Sequence, residues 1–271
     1  MTRPQARTLC AALIVGIGGC TADKTDDSAG DDSQPTDDSA AEVHFSIEGM
    51  AIAFGVAREP APEGACVKAM NPQEGIDGGT PEEVANSTVG PGGAFTLTGI
   101  PVFDLPPLLI IDDCDNDPPR VFPTGTPVPP ELLTGLADGA VIRDVQAASI
   151  GVETFDGLSA SLAAAGSTVD LTQDGMMIGF IWDIADQSPI VGAPVTCSGC
   201  TAYYGDTNNA DGLFSAAGVP NTATAGEALF AIPGAPIGSY SATAAGYTFE
   251  SHMLGAIPRG ALVVALRGTA Q

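Results

Sequence analysis

Reactivity in this 271-residue chain would sit on sulfur and carboxylate, because it holds six cysteines, 33 acidic residues and only two histidines. Cys197-Ser198-Gly199-Cys200 has the spacing of a redox dithiol and of half a zinc site. A redox pair needs a helix N-terminus or similar field to lower a thiol pKa, and this one lies between Val195-Thr196 and Tyr203-Tyr204, in strand-type sequence. Zinc needs two further ligands, and the nitrogen and sulfur donors left to supply them are His44, His252 and the other cysteines. A structural hairpin disulfide is therefore favoured over the redox and metal readings. Asp112-Asp113-Cys114-Asp115-Asn116-Asp117-Pro118 places Asp113, Asp115 and Asp117 as the alternating carboxylates that open an EF-hand calcium loop. Pro118 stands where the turn glycine belongs and Thr124 where the distal Glu belongs, so a solvated turn is preferred to an irregular calcium site. No G-x-S-x-G elbow, H-E-x-x-H helix or phosphate-cradling glycine loop is present. The chain reads as non-catalytic, with no cofactor and no assigned metal.

The N-terminus carries a different chemistry. Arg3 and Arg7 precede an apolar stretch from Leu9 to Ile17, and small residues follow before Cys20. This is the build of a signal peptide over residues 1–19. Its apolar stretch is about half of the ~20 residues a membrane-spanning helix needs. Ile17-Gly18-Gly19-Cys20 resembles the lipobox of bacterial lipoproteins. The resemblance implies diacylglycerol on the Cys20 sulfur, cleavage before Cys20, and acylation of the new amine with a chain such as palmitate. Two or three acyl chains hold a protein on a membrane, whereas one does so only marginally. Thr21 occupies the position where Asp would signal inner-membrane retention, so the resemblance points to the outer membrane, facing the periplasm or the surface. Ordinary secretion with Cys20 free is the alternative.

Residues 21–42 contain eight acidic residues, one Lys and nothing aliphatic larger than Ala. With nothing to bury and a strong self-repulsion, the linker of residues 20–42 is expected to be disordered and extended. From Val43 to Gln271 there are 25 acidic against 6 basic residues, a formal charge of −19. Such a surface makes nucleic acid and anionic lipid headgroups poor partners.

The elements that must position these groups are short β-type runs between Gly and Pro turn signals: His44 to Val56, Ala65 to Met70, Phe95 to Thr98, Leu108 to Ile111, Met176 to Trp182, Ala228 to Ile232, Tyr240 to Thr243 and Leu262 to Leu266. Residues 113–175 differ. Pro118 to Pro130 is expected to be irregular, Pro130 to Leu133 to begin a short helix, and Glu153 to Gly166 to form a helix with Phe155, Leu158 and Leu162 on one face. An internal repeat aligns Gly93-Ala94-Phe95-Thr96-Leu97-Thr98-Gly99-Ile100-Pro101 with Gly212-Leu213-Phe214-Ser215-Ala216-Ala217-Gly218-Val219-Pro220. Gly64-Ala65-Cys66-Val67 echoes Gly192-Ala193-Pro194-Val195 upstream of it.

The second copy has a recognisable rhythm. It runs through Gly179-Phe180-Ile181-Trp182-Asp183, Pro189-Ile190-Val191-Gly192-Ala193-Pro194-Val195, Asp211-Gly212-Leu213-Phe214 and Gly238-Ser239-Tyr240-Ser241-Ala242-Thr243-Ala244-Ala245-Gly246-Tyr247. This resembles the carboxypeptidase regulatory-like domain, a transthyretin-like sandwich, with Asn221 to Gly226 as an insertion. The resemblance covers residues 176–267 well and the first half loosely. It implies two tandem transthyretin/Ig-like β-sandwich domains, the first divergent at 43–112 and the second at 176–271, joined by the Pro-rich and helical connector 113–175. In carboxypeptidases that domain accompanies a catalytic zinc domain, which is not present here. Phe214 should then point inward, and Tyr240 should bury its ring while its hydroxyl reaches a partner.

With Cys10 removed and Cys20 lipidated, four cysteines remain, and an even number in an exported chain points to disulfides. Domain boundaries favour Cys66 with Cys114 and Cys197 with Cys200 among the three possible pairings. The expectation is thus a non-catalytic, membrane-anchored lipoprotein displaying β-sandwich modules for binding or envelope structure, toward an envelope or extracellular protein or glycan. A carbohydrate- or calcium-dependent adhesion module would instead need an exposed platform among Trp182, Tyr203 and Tyr204, or an oxygen cage in the 112–117 loop. A carboxylate-based hydrolase would need two facing acids in a cleft.

Overall fold

The computed structural model of the chain describes residues 43–55, 59–76, 81–114, 116–205, 213–216, 219–220 and 226–271. The signal peptide, Cys20, the acidic linker, Asp115, the Asp211-Gly212 turn and all but the last residue of the 221–226 insertion lie outside these.

The fold is all-β. In the first half the strands are β1 (His44–Ala53), β2 (Cys66–Asn71), β3 (Glu82–Thr88), β4 (Ala94–Pro101) and β5 (Leu108–Asp112), followed by the short β6 (Val121–Phe122) and β7 (Thr124–Pro127) and the long β8 (Ala140–Gly151). A four-stranded sheet has the order β4-β1-β8-β6, with β1 antiparallel to β4 and parallel to β8. Period-two alternation along β1 and β4 sends Phe45, Ile47, Phe95 and Leu97 inward. There they meet Val67 and Ala69 of β2 and Leu109 and Ile111 of β5, which belong to a second sheet, so the first core is that of a sandwich.

The second half supplies β9 (Met176–Asp183), β10 (Val195–Thr196), β11 (Tyr203–Tyr204), β12 (Ser215–Ala216), β13 (Val219–Pro220), β14 (Leu229–Pro233), β15 (Gly238–Ala242), β16 (Tyr247–Phe249), β17 (His252–Leu254) and β18 (Ala261–Ala270). Strand β9 begins Met-Met-Ile-Gly-Phe-Ile, a nearly unbroken apolar run, because both of its faces are covered and its partner β18 runs parallel to it. On one face Met176 and Ile178 pack with Phe155, Leu158 and Leu162 of helix α1 (Val152–Ala164). On the other, Met177 and Ile181 pack with Phe230, Ile232, Tyr240, Leu262 and Val264. Gly179 is required at the close approach of these strands, since a Cβ there would strike the carbonyl oxygen of Val264.

The large sheet crosses both halves, in the order β11-β14-β9-β18-β7-β5-β2-β3, with β16 also on β18. The link is β7, antiparallel to β5 and parallel to the start of β18. The stretch 113–175, expected to be irregular and helical, therefore contributes three strands besides the expected helix. Pairing overrides its Pro-rich composition, because β7 needs only four residues, Thr124 to Pro127, to bridge its neighbours. Helix α1 itself forms as anticipated. Its three apolar residues are buried, and Gly166, at φ 95°, donates to the Ala163 carbonyl and stops it. Pro130–Leu133 is a single 3-10 turn.

The repeat copies diverge. Phe95 and Phe214 are both buried, but β4 is an eight-residue strand, whereas in the second copy β12 and β13 pair with each other as two-residue strands.

Candidate functional site

The four cysteines pair as expected. Cys66 bonds Cys114 with Cα atoms 5.3 Å apart, and Cys197 bonds Cys200 with Cα atoms 5.9 Å apart. The first bridge is placed by the antiparallel β2–β5 ladder, in which Cys66 lies opposite Asp112, two residues before Cys114. Cys114 adopts a left-handed backbone at φ 55°, and its N–H donates to Asp112 Oδ1 at 2.9 Å, which turns the chain back toward β2.

Charge is concentrated around this bridge. Asp113 is buried, with 4% of its surface exposed, and its carboxylate accepts from Arg120 Nη2 at 2.5 Å, from Nε at 3.0 Å and from the Arg120 backbone N–H. Asn116 Nδ2 donates to the same carboxylate at 3.1 Å and to the Asp113 carbonyl at 2.7 Å. These Arg120 hydrogen bonds outweigh the effect of burial and hold the Asp113 carboxyl below its ordinary value. Arg120 Nη1 also reaches the Glu63 carbonyl at 3.3 Å, tying the segment before β2 to the loop after β5. Beside them Lys68 Nζ lies 2.6 Å from Asp112 Oδ2.

This arrangement answers the calcium expectation for the 112–117 loop. Both Asp113 oxygens face donors, Asp117 is exposed, and Asp115 lies outside the described residues. Calcium needs six to eight oxygens turned to one point, and Asp113 is turned to a guanidinium instead. Lys68 and Arg120, which organise the loop, carried no motif. The available signal was scarcity, since six bases among 25 acids in the body make each base a prime partner for a carboxylate. Arg143 with Glu48 and Arg267 with Glu131 follow the same pattern.

The aromatic platform does not form from the tyrosines. Tyr203 and Tyr204 are buried, 8% and 5% exposed, because β11 pairs with β14 and both rings enter cores. The Tyr204 hydroxyl accepts from the Val195 N–H at 2.8 Å, and burial raises its pKa. Trp182 is half-buried and stacks on Phe180, with ring centroids 5.1 Å apart. Tyr203 and Tyr204 therefore serve core packing and offer no sugar-stacking platform, while Trp182 keeps part of its surface exposed beside Phe180. Tyr240 behaves as anticipated, its ring 1% exposed and its hydroxyl donating to the Pro236 carbonyl at 2.5 Å.

The second bridge closes the turn between β10 and β11, and both of its cysteines pack against the core. A pocket of about 290 Å³ opens beside it, lined by Ser167, Val169, Cys200, Tyr203, Pro233 and Pro236 among others. That is just under the roughly 300–1,000 Å³ of ordinary small-molecule sites. His44 lies on β1 and His252 on β17, in different sheets.

No protein-family model matches the chain, and no curated protein sequence matches it. Among solved structures it is similar to the shaft pilin SpaA of Lactobacillus rhamnosus GG, at 10% identity over 84% of this chain and 98% of that one, with a TM-score of 0.25. It is also similar to the Streptococcal ancillary pilin, at 10% identity over 84% of this chain and 63% of that one, with a TM-score of 0.24. A third is GBS52, the minor pilin of Streptococcus agalactiae, at 9% identity over 84% and 96%, with a TM-score of 0.23.

Proposed function

We propose that this chain is an exported, non-catalytic lipoprotein, anchored through Cys20 and displaying its β-sandwich body for binding or for envelope structure. The observation that carries the reading is the conjunction of Ile17-Gly18-Gly19-Cys20 behind an apolar leader with a body stapled by two disulfides. Disulfides persist in oxidising compartments outside the cytosol, so they agree with the leader by an independent route. The acidic linker holds the body away from the membrane, and the charge of −19 keeps it off anionic lipid and nucleic acid. Among the described residues no helix is long and apolar enough to cross a membrane, and in this reading the acyl chains do the anchoring. The transthyretin-like assignment of residues 176–267 and the outer membrane as destination belong to the same reading, and so do two tandem sandwich modules, which share the sheet that crosses between them at β7.

The test is metabolic labelling with a fatty acid in a bacterial host. Label should enter the wild-type chain and be lost in Cys20→Ser, which should leave the membrane fraction. Equal labelling of the two chains, or none in either, would reject the anchor.

A further inference from the structure

We propose that the Cys66–Cys114 bridge is a closed form of a metal site, which on reduction takes one zinc-class divalent cation on Cys66 Sγ, Cys114 Sγ and an Asp112 carboxylate oxygen. The two sulfurs are joined in the bridge, and an Asp112 carboxylate oxygen lies within 4.8 Å of both. Asp112 accepts from the Cys114 N–H on one oxygen and from Lys68 on the other, and each oxygen keeps a second lone pair for a cation. Zinc accepts this mixture of sulfur and oxygen, and three protein donors leave a fourth, tetrahedral position for water.

What makes the site more than a broken disulfide is that its geometry is held by other bonds. The β2–β5 ladder fixes Cys66 opposite Asp112. Asp113 with Arg120, and Arg120 with the Glu63 carbonyl, clamp the loop carrying Cys114 to the segment before Cys66. Two thiolates and a carboxylate around a divalent cation leave one negative charge, and the Lys68 ammonium, 2.6 Å from Asp112, neutralises it. Opening the site adds two electrons and two protons to the S–S bond from a dithiol donor, which is itself oxidised to a disulfide. Binding the cation then releases both thiol protons.

The experiment uses the full chain with Cys10, Cys20, Cys197 and Cys200 replaced by Ser, so that one pair remains, and cobalt(II) as a coloured stand-in for zinc. The oxidised protein should show no cobalt band. After reduction by a phosphine, one equivalent should give a sulfur-to-cobalt charge-transfer band that zinc abolishes. Asp112→Asn should weaken binding by about tenfold or more, at least the effect of losing an outer-shell partner. The near-UV circular dichroism of the reduced apo-protein should match that of the oxidised one. Loss of that signal on reduction, no charge-transfer band, or Asp112→Asn binding as tightly as its parent would each overturn the proposal.

Discussion

Cys66–Cys114 spans 48 residues of sequence and Cys197–Cys200 spans 3, yet their Cα separations are nearly alike, at 5.3 and 5.9 Å. The first joins a strand to the loop beyond its ladder partner, so it removes long-range freedom that the unfolded chain would otherwise have. The second closes a turn between two-residue strands and removes little. The surroundings differ in the same sense. The long staple sits in a charged cluster of Lys68, Asp112, Asp113 and Arg120, whereas the short clip rests on an apolar core with Tyr204 and Tyr240 beneath it. Similar local geometry thus carries different energetic weight, and loop length decides which bridge matters more to the fold.

This comparison can be broken by experiment. Replacing Cys66 and Cys114 by Ser should lower stability by about 4 kcal/mol by the loop-closure relation, read from denaturant unfolding with a slope that rises as the freed unfolded chain expands. The same double replacement at Cys197 and Cys200 should cost about 2 kcal/mol. Equal losses from the two would show that native-state strain, and not loop length, governs both. Tyr240→Phe removes one buried hydrogen bond to Pro236 and should cost about 1 kcal/mol while the ring keeps its place.

The charged cluster gives the subtlest signal. Arg120 holds the folded Asp113 carboxyl below its ordinary 3.8, so the pair's contribution is complete above that value and is lost as pH falls through the folded value. The wild type should therefore lose stability on acidification more steeply than Asp113→Asn. Parallel acid titrations of the two by thermal melting would dissolve the contrast between a charged and an apolar setting.

The sequence made the apolar, alternating strands legible and hid the rest for identifiable reasons. Strands β1, β2, β4, β5, β9, β14, β15 and β18 all fall on runs that alternation and β-branched content mark. Strand β8 is longer than any of them and escaped. Arg143 and Asp144 are two successive exposed residues, Asp144 lies at φ 59°, and the β1–β8 register shifts between Ile47 and Gly49. This bulge reverses the phase of alternation in mid-strand, so Ile142, Val145 and Ala147 do not read as one face. Strand β3, Glu-Glu-Val-Ala-Asn-Ser-Thr, lies at an edge and buries too little to leave a pattern. The disulfide partners were legible from parity and position, whereas Arg120 and Lys68 depend on strand register and loop path, which no local motif records.

The most direct test of the account is the intact mass of the protein extracted in detergent from host membranes, taken before and after reduction and alkylation. The account predicts a chain beginning at Cys20 with added acyl mass, no alkylation before reduction and four alkylated thiols after it. A chain without acyl mass, or thiols alkylated without reduction, would contradict it.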